Sequence, residues 1–508
     1  MGGPKNCSPN VSALPQLSKP GEFPFSSGIH PRMYMERPWT IRQYAGFGDV
    51  FRTNELLKNQ LKSGVKGLSI AFDLPTQLGY DPDQDISKYD VGRIGVSVSN
   101  LQEMRILLKD IDLKSVSISM TINASAIVLI VMYKIVAEEN GFSLRELRGT
   151  LQNDILKEFI SRGAYTLEIS KSLNLFVDTV KYMDRFLPSW NPISISGYHM
   201  AEAGANASQE IAFTISNAME YIKCIEISGL SVETFLRRTS FFFCARTEML
   251  HEIAKFRAAR QIWAKKIKNL YPKLSDEILK MRIHAQTAGI ELQAQNPEYN
   301  AVRVTIQALA AILGGVQSLH TSSVDEALSL PSEDASKLAL ATQQILAIET
   351  DLCKTVDPIG GSFLIQDLVT NIEAEVIKII NEIDLMGGAK AAISNSYQKG
   401  LIENLAYEYA LDVESGTKKI VGVNTGETFS NYATNFTVPQ ADQLISRIAK
   451  FRNTRDLKPV EQELESLKRH LALRQSVGES VESCLLANAS LGEIMTVFRE
   501  CDYPIIQK

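Results

Sequence analysis

Between residues 49 and 410, short runs rich in Ile, Val and Ser alternate with longer helical stretches such as ASAIVLIVMYKIVAEENGF and RTEMLHEIAKFRAARQIWAKKI. This alternation dictates βα units and a parallel sheet, because parallel neighbours need a crossover that a helix supplies. Eight runs read as strands: GLSIAFD at 67, IGVSVS at 94, SVSISMT at 115, RGTLQ at 148, ISISGYH at 193, RTSFFF at 238, RIHAQT at 282 and GVQSLHT at 315. The pattern predicts an α/β chain folded as a (β/α)8 TIM barrel. A doubly wound open sheet is the competing arrangement. No strand is followed by a glycine-rich dinucleotide fingerprint, which lowers it.

The strands carry an unusual face. Barrel interiors are normally filled by Val, Ile and Leu. Here Ser115, Ser117 and Ser119 alternate on one strand and Ser194 and Ser196 on another, with Ser69, Ser240 and Ser318 elsewhere. Successive side chains point to opposite faces, so each such strand has a small hydrophilic side. Turned outward beneath helices, the serines would only bond backbone. Turned inward, they would leave a hydrophilic interior able to thread a long polar ligand. Recurrence over several strands favours the second arrangement.

Residues 1–48 form a Pro-, Ser- and Gly-rich N-terminal arm that runs into RPWTIRQYAGF at 37–47. The apolar spacing of that stretch fits neither a long amphipathic helix nor a clean alternating strand. Its Arg and Trp side chains could staple the arm onto a domain, or its arginines could bind an anion against an aromatic wall. The barrel is expected over 49–410, and 411–508 reads as a C-terminal helical linker or docking segment, with a helical cap on the barrel as an equal alternative.

A net charge of −5 and the absence of a dense Lys/Arg block argue against a nucleic-acid binder. No apolar run is long enough to span a bilayer, and MGGPKNCSPNVS lacks the apolar core of a secretory signal. The six cysteines are scattered without a Cys-x-x-Cys, which indicates a reducing, cytoplasmic setting and neither a zinc site nor a redox pair.

Barrel chemistry collects at the C-terminal ends of strands. There the chain places Tyr198 and His199, then His284 with Gln286, then His320 with Asp325 and Glu326, and Gln152, Asn153 and Asp154 with Arg162 beyond. Each has a structural alternative: a lone His is commonly a satisfied hydrogen bonder, and an acid can simply stabilise a first helical turn. Three histidines on predicted strand ends form a cluster, which points to a site. No His-Glu-x-x-His or Cys/His set suggests a metal, and no Gly-x-Ser-x-Gly turn suggests a serine hydrolase.

RPWTIRQYAGF, GLSIAFDLPTQLGYD, SISMTINASA, LQNDILKEFISRG, ISISGYHMAEAGA, HAQTAG and GGVQSLHTSSVDEALSLP, in this order, resemble the large catalytic part of the adenosylcobalamin-dependent acyl-CoA mutases, which include methylmalonyl-CoA mutase. The likeness runs from about residue 22 to the C-terminus. It implies a barrel lined by small hydrophilic residues with the CoA chain along its axis. It implies a radical 1,2-rearrangement, interconverting methylmalonyl-CoA and succinyl-CoA, with adenosylcobalamin as cofactor. In that resemblance Tyr44 lies between substrate and corrinoid, and His199 hydrogen-bonds the thioester carbonyl. Arg162 grips the substrate carboxylate, and Gln152 lies near the substrate. Met33, Arg37, Thr40, Arg42, Ser69, Ser119, Thr121, Thr150, Arg238, Ser240, His284 and Gln286 match further substrate-lining positions, and Glu326 and Ser322 lie at the adenosyl ribose.

There are departures. His30 stands in place of a tyrosine expected to meet the carboxylate, Ser322 replaces an asparagine, and AYTLEISKS follows Arg162 in place of a proline-rich turn. Relatives acting on isobutyryl-CoA carry Gln at the position of Arg162, and those acting on 2-hydroxyisobutyryl-CoA carry an aliphatic residue at that of Tyr44. A dicarboxylic ester is therefore expected, since Arg162 would otherwise be an unpaired buried charge. The alternatives are a mutase for another branched acyl-CoA and a non-catalytic acyl-CoA-binding scaffold. None of His30, His199, His251, His284, His320 and His470 has an Asp two residues before it, so the family's cobalt-ligating Asp-x-His-x-x-Gly is not found. The expectation is a large subunit in a hetero-oligomer with a small cobalamin-binding subunit, with a G-protein chaperone as a further candidate partner.

Overall fold

In the computed structural model, which describes residues 18–328, 331–426 and 441–503, eight parallel strands form the central sheet. They are β1 Thr40–Ala45, β2 Gly67–Ala71, β3 Ser117–Thr121, β4 Arg148–Leu151, β5 Trp190–Asn191 continuing as Ile193–Ser196, β6 Thr239–Ala245, β7 Ile283–Thr287 and β8 Ser318–His320. Strand β5 is split at Pro192, which has no N–H to give to a ladder. Its first segment pairs with β4 and its second with β6. The Ser194 N–H donates to Gln152 O at 2.9 Å across the seam, and β1 lies between β2 and β8. The sheet thus closes on itself as a (β/α)8 barrel.

One strand is not the expected one. Within IGVSVS only Gly95–Val96 is extended, and it pairs with Phe47–Gly48 in a two-stranded ribbon outside the barrel. Its place in the barrel is taken by Thr40–Ala45, from the stretch that looked irregular. The reason is visible in its side chains. Alternation sends Thr40, Arg42 and Tyr44 one way and Ile41, Gln43 and Ala45 the other, so neither face is uniformly apolar. Gln43 is tolerated on the buried face because its amide donates to Ser336 O at 2.9 Å. The residues before β1 do act as a staple. The Tyr34 hydroxyl donates to Val316 O at 2.7 Å, and the Trp39 indole to Gln343 Oε1 at 3.0 Å. Residues 1–17 of the arm lie outside the described residues.

The strands bury their outer faces in apolar layers, and on β3 the inner face stays partly accessible. Along β3, Ile118 and Met120 are fully buried, whereas Ser117, Ser119 and Thr121 are not. Leu68, Ile70, Ile193, Ile195, Phe241, Phe243, Ile283 and Leu319 likewise enter the apolar layers between sheet and helices. The small polar set therefore faces the interior, together with larger groups such as Arg42, Tyr44, Phe242 and His284. A paired substitution checks this. Ile118→Ser should destabilise the fold by about 3–5 kcal/mol, as a core truncation that also buries a hydroxyl. Ser119→Leu should leave the melting temperature close to that of the parent while obstructing ligand entry. Thermal unfolding followed by circular dichroism compares them.

Helix Ala126–Glu139 is buried around its circumference from Ala126 to Ala137, apolar there except for Lys134, which pairs with Glu138 and Glu482. Such a helix must be covered on every side. The barrel covers one side, and the C-terminal helices Val477–Leu486 and Leu491–Glu500 share its core on another. Asp81, fully buried in the loop after β2, ties these elements together. It accepts from the Gly492 N–H at 2.9 Å and also meets Ser490 and Arg452. Among the described residues no helix is long and apolar enough to cross a membrane.

Candidate active site

The C-terminal rim gathers its chemistry where β4 and β5 end. Beyond β4 the chain passes Gln152 and Asp154 and enters a π-helical turn at Glu158–Arg162, stopped by Gly163 at φ 72°. Such turns bulge a helix and recur at functional sites. Beyond β5, Gly197 lets the chain run close against the helix behind it, since a Cβ there would lie 2.6 Å from both Glu210 and Thr214. That close approach sets the helix Tyr198–Glu202, which carries His199 to the rim.

These two segments meet in one polar network. The Lys157 ammonium, fully buried, lies 3.0 Å from His199 Nδ1 and donates to Gln152 Oε1 at 2.7 Å. Ser196 Oγ is 2.8 Å from the same His199 nitrogen. Asn123 donates to Gln152 Oε1 at 3.0 Å and to Glu158 Oε1 at 2.7 Å. Arg162 pairs with Glu158 at 3.2 Å and donates to Gln77 Oε1 at 3.1 Å. Burial, then the nearby Lys157 charge, holds the His199 imidazole well below its ordinary range, so it is neutral at physiological pH.

A second cluster stands beside it. The Tyr44 ring meets His320 edge-on with centroids 4.6 Å apart, and burial pushes its phenol up to about 12. Burial also takes His320 down to about 4, leaving it neutral. Gln286 donates to the Tyr198 hydroxyl at 2.9 Å. Glu202, raised to about 7 by burial, accepts from the N–H groups of Gly289 at 3.1 Å and Ile290 at 3.0 Å. Glu326 is also raised by burial. A Cβ on Gly289 would stand 3.0 Å from a Glu202 oxygen and 3.5 Å from a Glu326 oxygen. Two carboxyl groups therefore face one side-chain-free space, an acceptor pair suited to the hydroxyls of a diol. Ser322 lies below them, buried, its N–H donating to Thr287 Oγ1 at 2.7 Å.

Further down the lumen, Arg42 donates to Ser117 Oγ at 3.1 Å, and His284 Nδ1 lies 2.8 Å from Ser318 Oγ. Ser69 and Ser119 are register partners on β2 and β3, Tyr44 faces Ser69, and Thr121 hydrogen-bonds Tyr44. Thr150 accepts from Asn191 at 3.0 Å, and Ser240 donates to Ile193 O at 3.1 Å. Thr40 opens β1 at the N-terminal rim, with exposed Arg37 just before it.

Four expectations about site residues need correction. His30 does not accompany Arg162. Its charged neighbours include Lys280, Glu277 and Arg282, which precede β7, whereas Arg162 follows β4. All strands are parallel, so the two residues sit at opposite mouths of the barrel. Arg162 is not an unpaired buried charge either: Glu158 neutralises it and its side chain is 29% exposed. It still offers donors, since two of its five N–H groups are engaged by the bonds above. Arg238 is taken by Asp184 and by the carbonyls of Pro188 and Trp190, and Met33 packs against the core. Sequence reading missed Lys157, Glu158, Asn123, Gln77 and Glu202. For Lys157 and Glu158 the signal was present: two charged residues inside LQNDILKEFISRG, between apolar positions that must face a core.

A family model described as methylmalonyl-CoA mutase matches residues 7–503. The chain is 40% identical over 458 residues to the 2-hydroxyisobutanoyl-CoA mutase large subunit of Aquincola tertiaricarbonis, covering 89% of this chain and 82% of that protein. It is 43% identical over 415 residues to a probable mitochondrial methylmalonyl-CoA mutase of Caenorhabditis elegans, covering 82% of this chain and 56% of that protein. Against the methylmalonyl-CoA mutase of Cereibacter sphaeroides the identity is 38% over 479 residues, covering 94% of this chain and 67% of that protein. The matched regions thus amount to little more than half to two-thirds of these methylmalonyl-CoA mutases.

Proposed function

The chain belongs to the methylmalonyl-CoA mutase family, and from that premise we propose that it is the catalytic large subunit of an adenosylcobalamin-dependent mutase interconverting methylmalonyl-CoA and succinyl-CoA. The observation that carries the reading is a lumen of small polar side chains leading to His199, Arg162 and Tyr44 at one rim. A CoA ester lies along that lumen with its acyl end at this rim. At the other rim Arg37, Lys66 and Arg148 have no ion pair among the described residues, so they are available to phosphates. Small hydroxyl-bearing residues between the rims suit the amide-rich chain.

At the acyl end the neutral His199 donates to the thioester carbonyl and stabilises charge developing there. Arg162 takes the free carboxylate through its open N–H groups. Gln152 orients the ester, and Tyr44 presents an uncharged phenol over it. Glu202 and Glu326 would hold the ribose of the adenosyl group, and bound adenosylcobalamin supplies the carbon radical that initiates the rearrangement. The protein's task is then to orient the ester and keep water out. A partner small subunit would hold the cobalamin, as the words "large subunit" in one relative's name suggest. The scattered cysteines support a reading in a reducing compartment such as the cytoplasm.

Isothermal titration of this chain tests the substrate class. Succinyl-CoA should bind about tenfold or more tightly than butyryl-CoA, which lacks the carboxylate. Equal affinities would remove the role given to Arg162 and favour a neutral branched ester.

A further inference from the structure

Outside the barrel, the N-terminal arm packs on the helices Met249–Leu270 and Tyr299–Gly314, over two arginines of the first. Arg257 and Arg260 are each 1% exposed. Three positions apart, they share one helix face, where like charges repel unless something between them is negative. Both line a cavity of about 20 Å³, together with Ser27 and Tyr34 of the arm and with Thr355 and Asp357. We propose that this cavity is a binding site for a single monatomic anion, chloride under physiological conditions, that clamps the arm onto the barrel.

Donor supply and charge both point there. A guanidinium carries five N–H donors and no acceptor. Arg257 gives two of them to Asp357, at 2.5 and 3.0 Å. Its Nε is buried and bonds no described residue. Arg260 reaches only main-chain carbonyls, those of Phe25 at 3.3 Å, Ser26 at 3.5 Å and Gly314. Among the lining residues, two cations therefore share one carboxylate. Burial, with Arg257 beside it, brings Arg260 down to about 10, so it stays charged at neutral pH. Tyr34 supplies no counter-charge. Burial pushes its phenol up, and the hydroxyl donates to Ile312 O at 3.2 Å and Val316 O at 2.7 Å. A buried charge without a partner is costly, and a negatively charged acceptor meets both shortages.

Size selects the ligand. A space of this volume holds about one water-sized particle, so phosphate, sulfate and carboxylate ligands do not fit. Gly315, at φ 86°, also lines it, and a Cβ there would stand 3.3 Å from Arg260 Nη1 and 3.5 Å from Nη2, over the donors. A water molecule has the right size but leaves the surplus charge uncompensated. The anion joins the arm to the helix Met249–Leu270 and to the segment 355–358. The arm it holds runs directly into β1, which carries Arg42 and Tyr44.

The test uses the full chain with bromide and chloride as probes. Crystals soaked in sodium bromide, measured at the bromine edge, should show an anomalous peak touching both guanidinium groups. In solution, thermal unfolding is followed at constant ionic strength while gluconate is replaced by chloride. The melting temperature should rise saturably, by about 1–3 °C up to about 150 mM chloride. Arg260→Met removes the surplus charge and should abolish that rise. If this variant does not fold, the bromide map and the parent's chloride response still decide. Water density without a bromide peak would overturn the proposal. So would a peak with no chloride response, which marks an adventitious ion only. A response that persists in Arg260→Met would place the chloride elsewhere and overturn it as well.

Discussion

A His199→Ala variant is expected to lose turnover by about 10²–10³-fold, the scale on which removing one donor to a developing oxyanion acts. The imidazole is desolvated and neutral, so its donation to the thioester oxygen is made in a low-dielectric site where it counts for more than in water. Its removal leaves Lys157 facing Gln152 and a void that water can fill. Under the proposed function, binding of the CoA ester should change far less, because its phosphates and chain would be held at the opposite rim and along the lumen. The expected signature is thus a fall in kcat with affinity largely retained. Steady-state kinetics and titration calorimetry on the same preparation separate the two. A variant with parental kcat would remove His199 from the chemistry.

Arg162→Gln should change what the enzyme prefers more than how fast it can work. With the carboxylate partner gone, kcat/KM for succinyl-CoA should fall about 30-fold or more, from about 2 kcal/mol at the low end of such losses because the guanidinium is partly exposed. The fold should persist: Glu158 keeps Lys157 at 3.4 Å and Asn123 at 2.7 Å. Neutral esters such as isobutyryl-CoA should gain relative to the dicarboxylic ones. Competition between the two esters in one reaction reads the ratio directly. An unaltered ratio would move carboxylate recognition to another residue.

Much of this site was legible in the sequence because it depends on local pattern. The serine alternation on β3 and β5 required a polar face, and the recurrence suggested which way it turned. Tyr198, His199, Gln286 and Glu326 were legible because strand ends are where a parallel barrel exposes its chain. Thr40–Ala45 was not legible as a strand, since a lumen-facing strand with Arg, Tyr and a hydrogen-bonded Gln has no binary pattern to find. The place of His30 was misjudged because motif order fixes neighbours along the chain but not which mouth of the barrel they reach. Lys157 illustrates the remaining gap. Its importance lies in bonds to residues 5 and 42 positions away, and only the closed barrel brings those together.

Reconstitution tests the central claim most directly. This chain is combined with a cobalamin-binding small subunit and adenosylcobalamin, and succinyl-CoA, methylmalonyl-CoA and isobutyryl-CoA are offered separately with isomers followed by chromatography. The prediction is that the two dicarboxylic esters interconvert, and only when every component is present. Turnover of isobutyryl-CoA alone, or of no ester once the complex is verified as formed, would contradict it.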